Sequence, residues 1–327
     1  MAPTTARRTV KCKTIDGIAL EAWLWEVEGP APVIIMTHGL NCVKEWSLDE
    51  TVEAFHKAGY NVLLYDPRGI GGSEGMPRNQ PDPWQYAEDI SGQSLVAMHT
   101  YTFFVAVVLT TLAADVVSYV TTLPSVDPHK ILLWGISFGA TVTGCAGAVD
   151  PRVAGIVMVA PIFKFIRPDK RKKLFTQLMK DRQSQLSGNE PVYLRPYDSN
   201  GENPAGDGGS GGPCAKEAYK LMELGVQRYG FRNRVTLQTF HKLALFRPQD
   251  FMQEMLADKP IMMVVPEHDT MSLPVDQQAA FECFTCPKQM RLAKGKGHMD
   301  ILSGEGFEEN LSAMIEFFKS VTDEDLV

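Results

Sequence analysis

Ser137 stands between two glycines, in Gly135-Ile136-Ser137-Phe138-Gly139, directly behind the apolar run Ile131-Leu132-Leu133-Trp134. A buried strand that turns sharply into a helix leaves a serine hydroxyl exposed at the apex. That is the nucleophile elbow of acyl-transfer chemistry. The turn forces the serine into a strained backbone conformation, so its neighbours must lack side chains that would collide. A serine hydroxyl is a poor nucleophile at neutral pH. It needs a base, and the base needs an orienting carboxylate.

Both occur downstream. The apolar run Ile261-Met262-Met263-Val264-Val265 ends in Pro266-Glu267-His268-Asp269, and Lys294-Gly295-Lys296-Gly297-His298 puts a histidine on a glycine loop after the last apolar stretch. These assign Ser137 as nucleophile, Asp269 as acid and His298 as base. Glu267, two residues before Asp269, and Asp276 are the competing carboxylates. The tetrahedral oxyanion needs two further donors. The backbone N–H of Phe138, after the nucleophile, and that of Leu40, in His38-Gly39-Leu40-Asn41, are assigned to it. His38 reads as a structural support of that loop. Arg68, in Asp66-Pro67-Arg68-Gly69, reads as a tie between neighbouring loops.

The elements that must position these groups alternate. Residues 9–13 and 20–27 form an opening hairpin around Asp16-Gly17. Strands follow at 33–36, 61–65, 130–134, 153–159, 261–265 and 289–293. A helix at 48–58 has Ser47 as its N-cap and Gly59 as its stop. Short apolar strands separated by helices predict an α/β fold with a mostly parallel sheet covered on both faces. Ligands then bind at the carboxyl ends of the strands, where every residue named above lies. The alternation stops at 161–260, which reads as a helical cap inserted into a core of residues 1–160 and 261–327. The Gly-rich run within 203–212 lacks the Lys-Ser/Thr ending of a phosphate loop and reads as a surface loop.

The chain has 327 residues and a net charge of -7, which argues against a nucleic-acid binder. Its six cysteines are scattered. Cys283-x-x-Cys286 has no second pair for zinc, and no metal or cofactor is assigned. Reduced thiols and an N-terminus without an apolar signal core predict a cytoplasmic protein.

With these residues in place, the chain resembles the α/β-hydrolases over almost its whole length. The match runs through His38-Gly39, Tyr65-Asp66-Pro67-Arg68-Gly69, Gly71-Gly72-Ser73-Glu74-Gly75, the elbow, Pro266-Glu267-His268-Asp269 and Gly297-His298. More narrowly it resembles the fungal polyketide transferase and thiohydrolase group. That match rests on Val126-Asp127-Pro128, on residues 134–140 and on Arg167-Pro168-Asp169-Lys170-Arg171. The resemblance implies release of a polyketide chain from a carrier thioester, by hydrolysis or by transfer to an alcohol, in a secondary-metabolite pathway. The partners it implies are a small-molecule acyl substrate and the carrier domain of a polyketide synthase. Two readings compete with it: a small-ester or dienelactone-type hydrolase, and a non-catalytic product of a defective gene model.

Three features remain. Lys164, Arg167, Lys170, Arg171, Lys172 and Lys173 cluster at the start of the cap. They either meet a carrier or form a solvated helix face. Phe163, Phe165, Phe175, Met179, Phe240, Leu245 and Phe246 either line an acyl pocket or form the cap core. Residues 95–114 are about twenty mostly apolar positions, long enough to span a bilayer. A crossing there would split one sheet across a membrane, so a span is not assigned. Removing 92–114 joins 87–91 to 115–120 as one amphipathic helix with Ile90, Val116, Val117 and Val120 on a common face. Residues 92–114 are therefore read as an insertion, either a translated intron or, as the rival reading, a genuine hydrophobic extension near the membrane or a partner.

Overall fold

A computed structural model describes residues 7–92, 115–206, 209–229 and 231–323. The strands are β1 (Arg8–Lys13), β2 (Ala19–Trp25), β3 (Ala31–Thr37), β4 (Asn61–Tyr65), β5 (Val126–Ile136), β6 (Val153–Val159), β7 (Tyr193–Leu194), β8 (Val235–Thr236), β9 (Ile261–Pro266) and β10 (Lys288–Ala293). Eight of them form one sheet in the order β1-β2-β4-β3-β5-β6-β9-β10. β1–β2 and β2–β4 pair antiparallel, and every later pair is parallel. This is the mostly parallel sheet anticipated from the alternating pattern, with the opening hairpin at its edge.

The helices are α1 (Asp49–Lys57), α2 (Pro83–Ser91), α3 (Val116–Val120), α4 (Phe138–Val149), α5 (Arg171–Leu186), α6 (Pro213–Tyr229), α7 (Thr239–Leu245), α8 (Pro248–Met255), α9 (Pro274–Cys283) and α10 (Phe307–Thr322). Successive strand residues point to opposite faces, and the core divides accordingly. Ile34, Met36, Leu132 and Trp134 pack with α1 and α10 through Val52, Phe55, Met314 and Phe318. Val33, Ile35, Ile131 and Leu133 pack on the other face with α2, α3 and α4 through Ile90, Val117 and Val142. Because both faces are covered, the central strands read as unbroken apolar runs.

One detail of the sequence reading is corrected. Helix α1 begins at Asp49 with Leu48 at its N-cap. Ser47 instead adopts a left-handed φ of 55° in the preceding turn. Gly59 stops the helix with φ 95°. The short β7–β8 ribbon was not foreseen, since two-residue strands carry no periodicity. Arg68 ties loops together as anticipated. Its guanidinium donates to Asp16 in the β1–β2 turn at 2.7 and 2.9 Å, and its Nε to Asp89 on α2 at 2.7 Å.

Residues 93–114, and with them nearly all of the insertion, lie outside the described residues. Their flanks do not. α2 stops at Gly92 in a left-handed conformation, and α3 starts after Asp115. In the full chain these are two helices; the sequence reading joins them into one only on removal of 92–114. Even so, Ile90, Val116, Val117 and Val120 share one core, each 0% exposed. A side chain on Gly92 would meet Asp115 Oδ2 at 2.4 Å, so the two flanks abut. Arg152 clamps both, donating to Ser91 O at 2.6 Å and Ser118 Oγ at 2.8 Å. A protein with Gly92 joined directly to Asp115 should fold with a single cooperative urea transition. An unfolded or molten product, by near-UV circular dichroism, would show that residues 93–114 are needed.

Candidate active site

The elbow connects β5 to α4. Ser137 sits at φ 58°, ψ -124°, a strained conformation for a residue with a side chain. It is held by its N–H, which donates to Val159 O at 2.8 Å, and by the burial of nearly all of α4. The flanking glycines have a steric cause. A Cβ at 135 would lie 2.5 Å from Gly139 O, and one at 139 would lie 2.2 Å from His38 O. The helix start is thus pressed against the loop after β3.

The two N–H groups assigned to the oxyanion from the sequence lie on the two segments that meet in this approach. Phe138 is the first residue of α4, so its N–H has no acceptor within the helix. Leu40 lies in the turn after β3. Among the described residues neither N–H donates a hydrogen bond. A side chain on Gly39 would touch Ser137 Cβ at 3.6 Å, which brings this loop against the nucleophile. His38 supports the loop: the Gly39 N–H donates to its Nδ1 at 2.7 Å, and its Nε2 donates to Trp46 O at 2.7 Å. Burial lowers its pKa to about 4, so the ring is neutral with the proton on Nε2.

The acid and base come from the loops after β9 and β10. His298 Nε2 lies 2.8 Å from Ser137 Oγ, and its Nδ1 lies 2.7 Å from Asp269 Oδ2. With Nδ1–H donating to the carboxylate, Nε2 is left to accept the serine proton. Asp269 is 2% exposed and His298 4%. The carboxylate's other oxygen accepts the Met271 N–H at 2.7 Å and the Ser272 N–H at 2.8 Å. The Gly297 N–H donates to Asp300 Oδ1 at 2.7 Å, which shapes the turn carrying His298.

The competing carboxylates are elsewhere. Glu267 accepts the Gly295 N–H at 2.8 Å, and Asp276 pairs with Lys164 at 2.5 Å. The sequence reading missed Gln277, one residue beyond Asp276. It is fully buried, and its amide bridges Ser272 O at 2.7 Å and Asp269 Oδ2 at 3.3 Å. A glutamine in a polar first turn gives no sign in the sequence that it faces inward.

Ser137 opens on a cavity of about 510 Å³. Leu40, Trp46, Ile136 and Leu302 line it from the core, and Ile162, Phe165, Ala218, Leu221, Met222 and Leu243 from residues 161–260. Of the aromatic and aliphatic candidates, Phe165 lines the cavity. Phe163, Phe240 and Phe246 are buried in the core, while Phe175, Met179 and Leu245 are exposed. The acidic trio Glu21, Glu45 and Asp66 has a metal-like grouping. Its centre is taken by the Lys44 ammonium, 2.7 to 2.8 Å from each.

A serine, a histidine and a buried carboxylate joined by hydrogen bonds beside a cavity with much apolar lining have the arrangement that acyl transfer requires. The family model described as the alpha/beta hydrolase family matches residues 34–309. The chain belongs to that family. It is an enzyme of the hydrolase and acyltransferase type. It is 35% identical to a thiohydrolase of Eupenicillium brefeldianum, over 92% of this chain and 90% of that one. It is also 35% identical to a polyketide transferase of Stachybotrys chlorohalonatus, over 96% and 97%. Among solved structures, DcsB in complex with its substrate analogue superimposes with TM-score 0.86 at 47% identity, covering 96% of this chain and 99% of that one. Among the described residues no helix is long and apolar enough to cross a membrane.

Two groups of predictions test the geometry, the first on the hydrogen-bonded relay. A fluorophosphonate probe should label the wild type, and Ser137→Ala should abolish labelling. Asp269→Asn should leave the fold intact but lower kcat on an activated ester by about 10⁴-fold, because the amide favours the wrong imidazole tautomer. The second concerns His38. The unfolded ring takes up a proton below its ordinary pKa of 6.5, whereas the folded ring resists until about 4. Its contribution to stability is therefore complete above pH 6.5 and lost as pH falls towards 4. Urea midpoints of wild type should fall more steeply through that window than those of His38→Asn. Parallel curves would contradict the assignment.

Proposed function

We propose that this enzyme takes a polyketide acyl chain from a carrier thioester onto Ser137 and passes it to water or an alcohol. The observation that carries the proposal is the short Ser137–His298–Asp269 relay at the floor of a cavity with a mostly apolar wall. The names of the relatives support the acyl class.

In the first half-reaction Ser137 Oγ attacks the thioester carbonyl while His298 Nε2 takes its proton. The tetrahedral oxyanion faces the Leu40 and Phe138 N–H groups. Collapse expels the thiolate, which leaves as the thiol with the proton from His298. In the second half, His298 takes the proton of water or an alcohol, whose oxygen attacks the acyl-serine. The Asp269 carboxylate stabilises the imidazolium formed in each half and holds its orientation. These steps use side chains and backbone of the chain itself. All six cysteines are free thiols, which suits a reducing compartment such as the cytosol.

The cavity wall predicts how the acyl chain is chosen. Each buried methylene contributes about 0.8 kcal/mol, about a fourfold gain in kcat/KM. Acyl-N-acetylcysteamine thioesters of increasing length should therefore gain about fourfold per methylene until the cavity is full. Mass spectrometry should find the acyl group on Ser137. A flat series, or a preference for acetyl and short aryl esters, would replace this reading with that of a small-ester or dienelactone-type hydrolase.

A further inference from the structure

The charged residues on the wall of the catalytic cavity, apart from its histidines, are Asp49, Glu50, Glu217 and Asp300. A phosphate would be repelled there. A second depression of about 420 Å³ has the opposite character, being lined by Arg195, Arg232 and Arg234 with Glu223, Val226, Phe231 and Asn233. Phe231 packs on Trp46 with ring centroids 5.5 Å apart, and Trp46 lines the catalytic cavity. The two depressions are thus separated by one aromatic layer. The backbone of Arg232 is anchored to the loop that carries Leu40, since Asn41 Nδ2 donates to Arg232 O at 3.1 Å.

The arginines hold unspent charge. Glu223 faces Arg195 at 3.5 Å and also accepts from Asn233 at 2.8 Å. Among the described residues the Arg232 guanidinium has no ion pair, and Arg234 Nε, though buried, has no hydrogen-bond partner. The local potential is felt at Arg78, whose pKa is lowered first by burial and then by Arg232. The cap-entrance cluster compares poorly. Lys164 is already paired with Asp276 at 2.5 Å and Arg167 with Asp169 at 2.7 Å. None of its six cations lines the catalytic cavity.

We propose that the Arg195–Arg232–Arg234 pocket binds the phosphodiester of the phosphopantetheine arm whose acyl thioester lies at Ser137. The inference rests on the thioester reading above. It fits the chemistry of the arm, which is long and uncharged between its thioester and its phosphate. The neutral portion runs past Trp46, at the edge of the cavity, and Phe231, at the edge of the depression, and the anion reaches guanidinium donors that match its oxygens.

The test compares one acyl chain on phosphopantetheine and on N-acetylcysteamine, which lacks the phosphate. In the wild type at low salt, kcat/KM should be about tenfold higher for the phosphopantetheine thioester. The advantage should shrink in about 0.5 M NaCl. It should fall towards one in Arg195→Gln/Arg232→Gln, because the thioester end is unchanged. A ratio of two kcat/KM values does not depend on how much of the variant is folded. Equal rates in the wild type, or an undiminished ratio in the double variant, overturn the arginine site alone. If neither thioester acylates Ser137, the thioester reading fails and the site with it.

Discussion

The site depends on one close approach of backbone to backbone. The first turn of α4 presses against the loop after β3, so that a single methyl at 139 would lie 2.2 Å from His38 O. This contact sets Gly39, and with it the loop that carries Leu40, against Ser137. It also leaves Ser137 with a left-handed φ that the surroundings must enforce. The enforcement comes from burial of α4 and from the strand-like hydrogen bond to Val159. Strain at one residue persists because the packing around it is over-determined.

The acid and base answer a different constraint. A carboxylate that is 2% exposed is costly unless its oxygens are satisfied. Asp269 meets this with two backbone N–H groups, the imidazole N–H and the more distant Gln277 amide. Those bonds fix the carboxylate, the carboxylate fixes the ring, and the ring presents Nε2 to the serine. Glu267 lies on the same loop, yet its carboxylate is drawn to the Gly295 N–H instead.

Residues 161–260 do a third job. They contribute no group of the relay, but they supply much of the apolar cavity wall. Their β7–β8 ribbon is tied back to the core, with Thr236 N–H donating to Asn79 O at 2.9 Å and Tyr193 Oη to Arg78 O at 3.1 Å. The same ribbon is flanked by Arg195 and Arg234. The serine, histidine and carboxylate thus come from the loops of the main sheet, while residues 161–260 supply much of the wall beside them.

The order of elements was legible because short unbroken apolar runs and glycines at turns are local signals. The elbow, the strand that leads to the Asp269 loop and the loop carrying His298 each declare themselves within a few residues. Identity and spacing along the chain therefore determined the sheet and named the serine, acid and base candidates that the fold brings together. Other features depend on atoms far apart in sequence. Asp269 rather than Glu267 or Asp276 faces His298 because of where three loops meet. Gln277 turns inward, Lys44 fills an acidic trio, and Phe165 alone of its group reaches the cavity, all through packing over many residues. The flanks of residues 93–114 meet for the same reason, with Arg152 bonding to both. Chain pattern settles which groups are available; only the folded packing decides which of them touch, because side-chain direction and burial are set by neighbours that the local sequence does not contain.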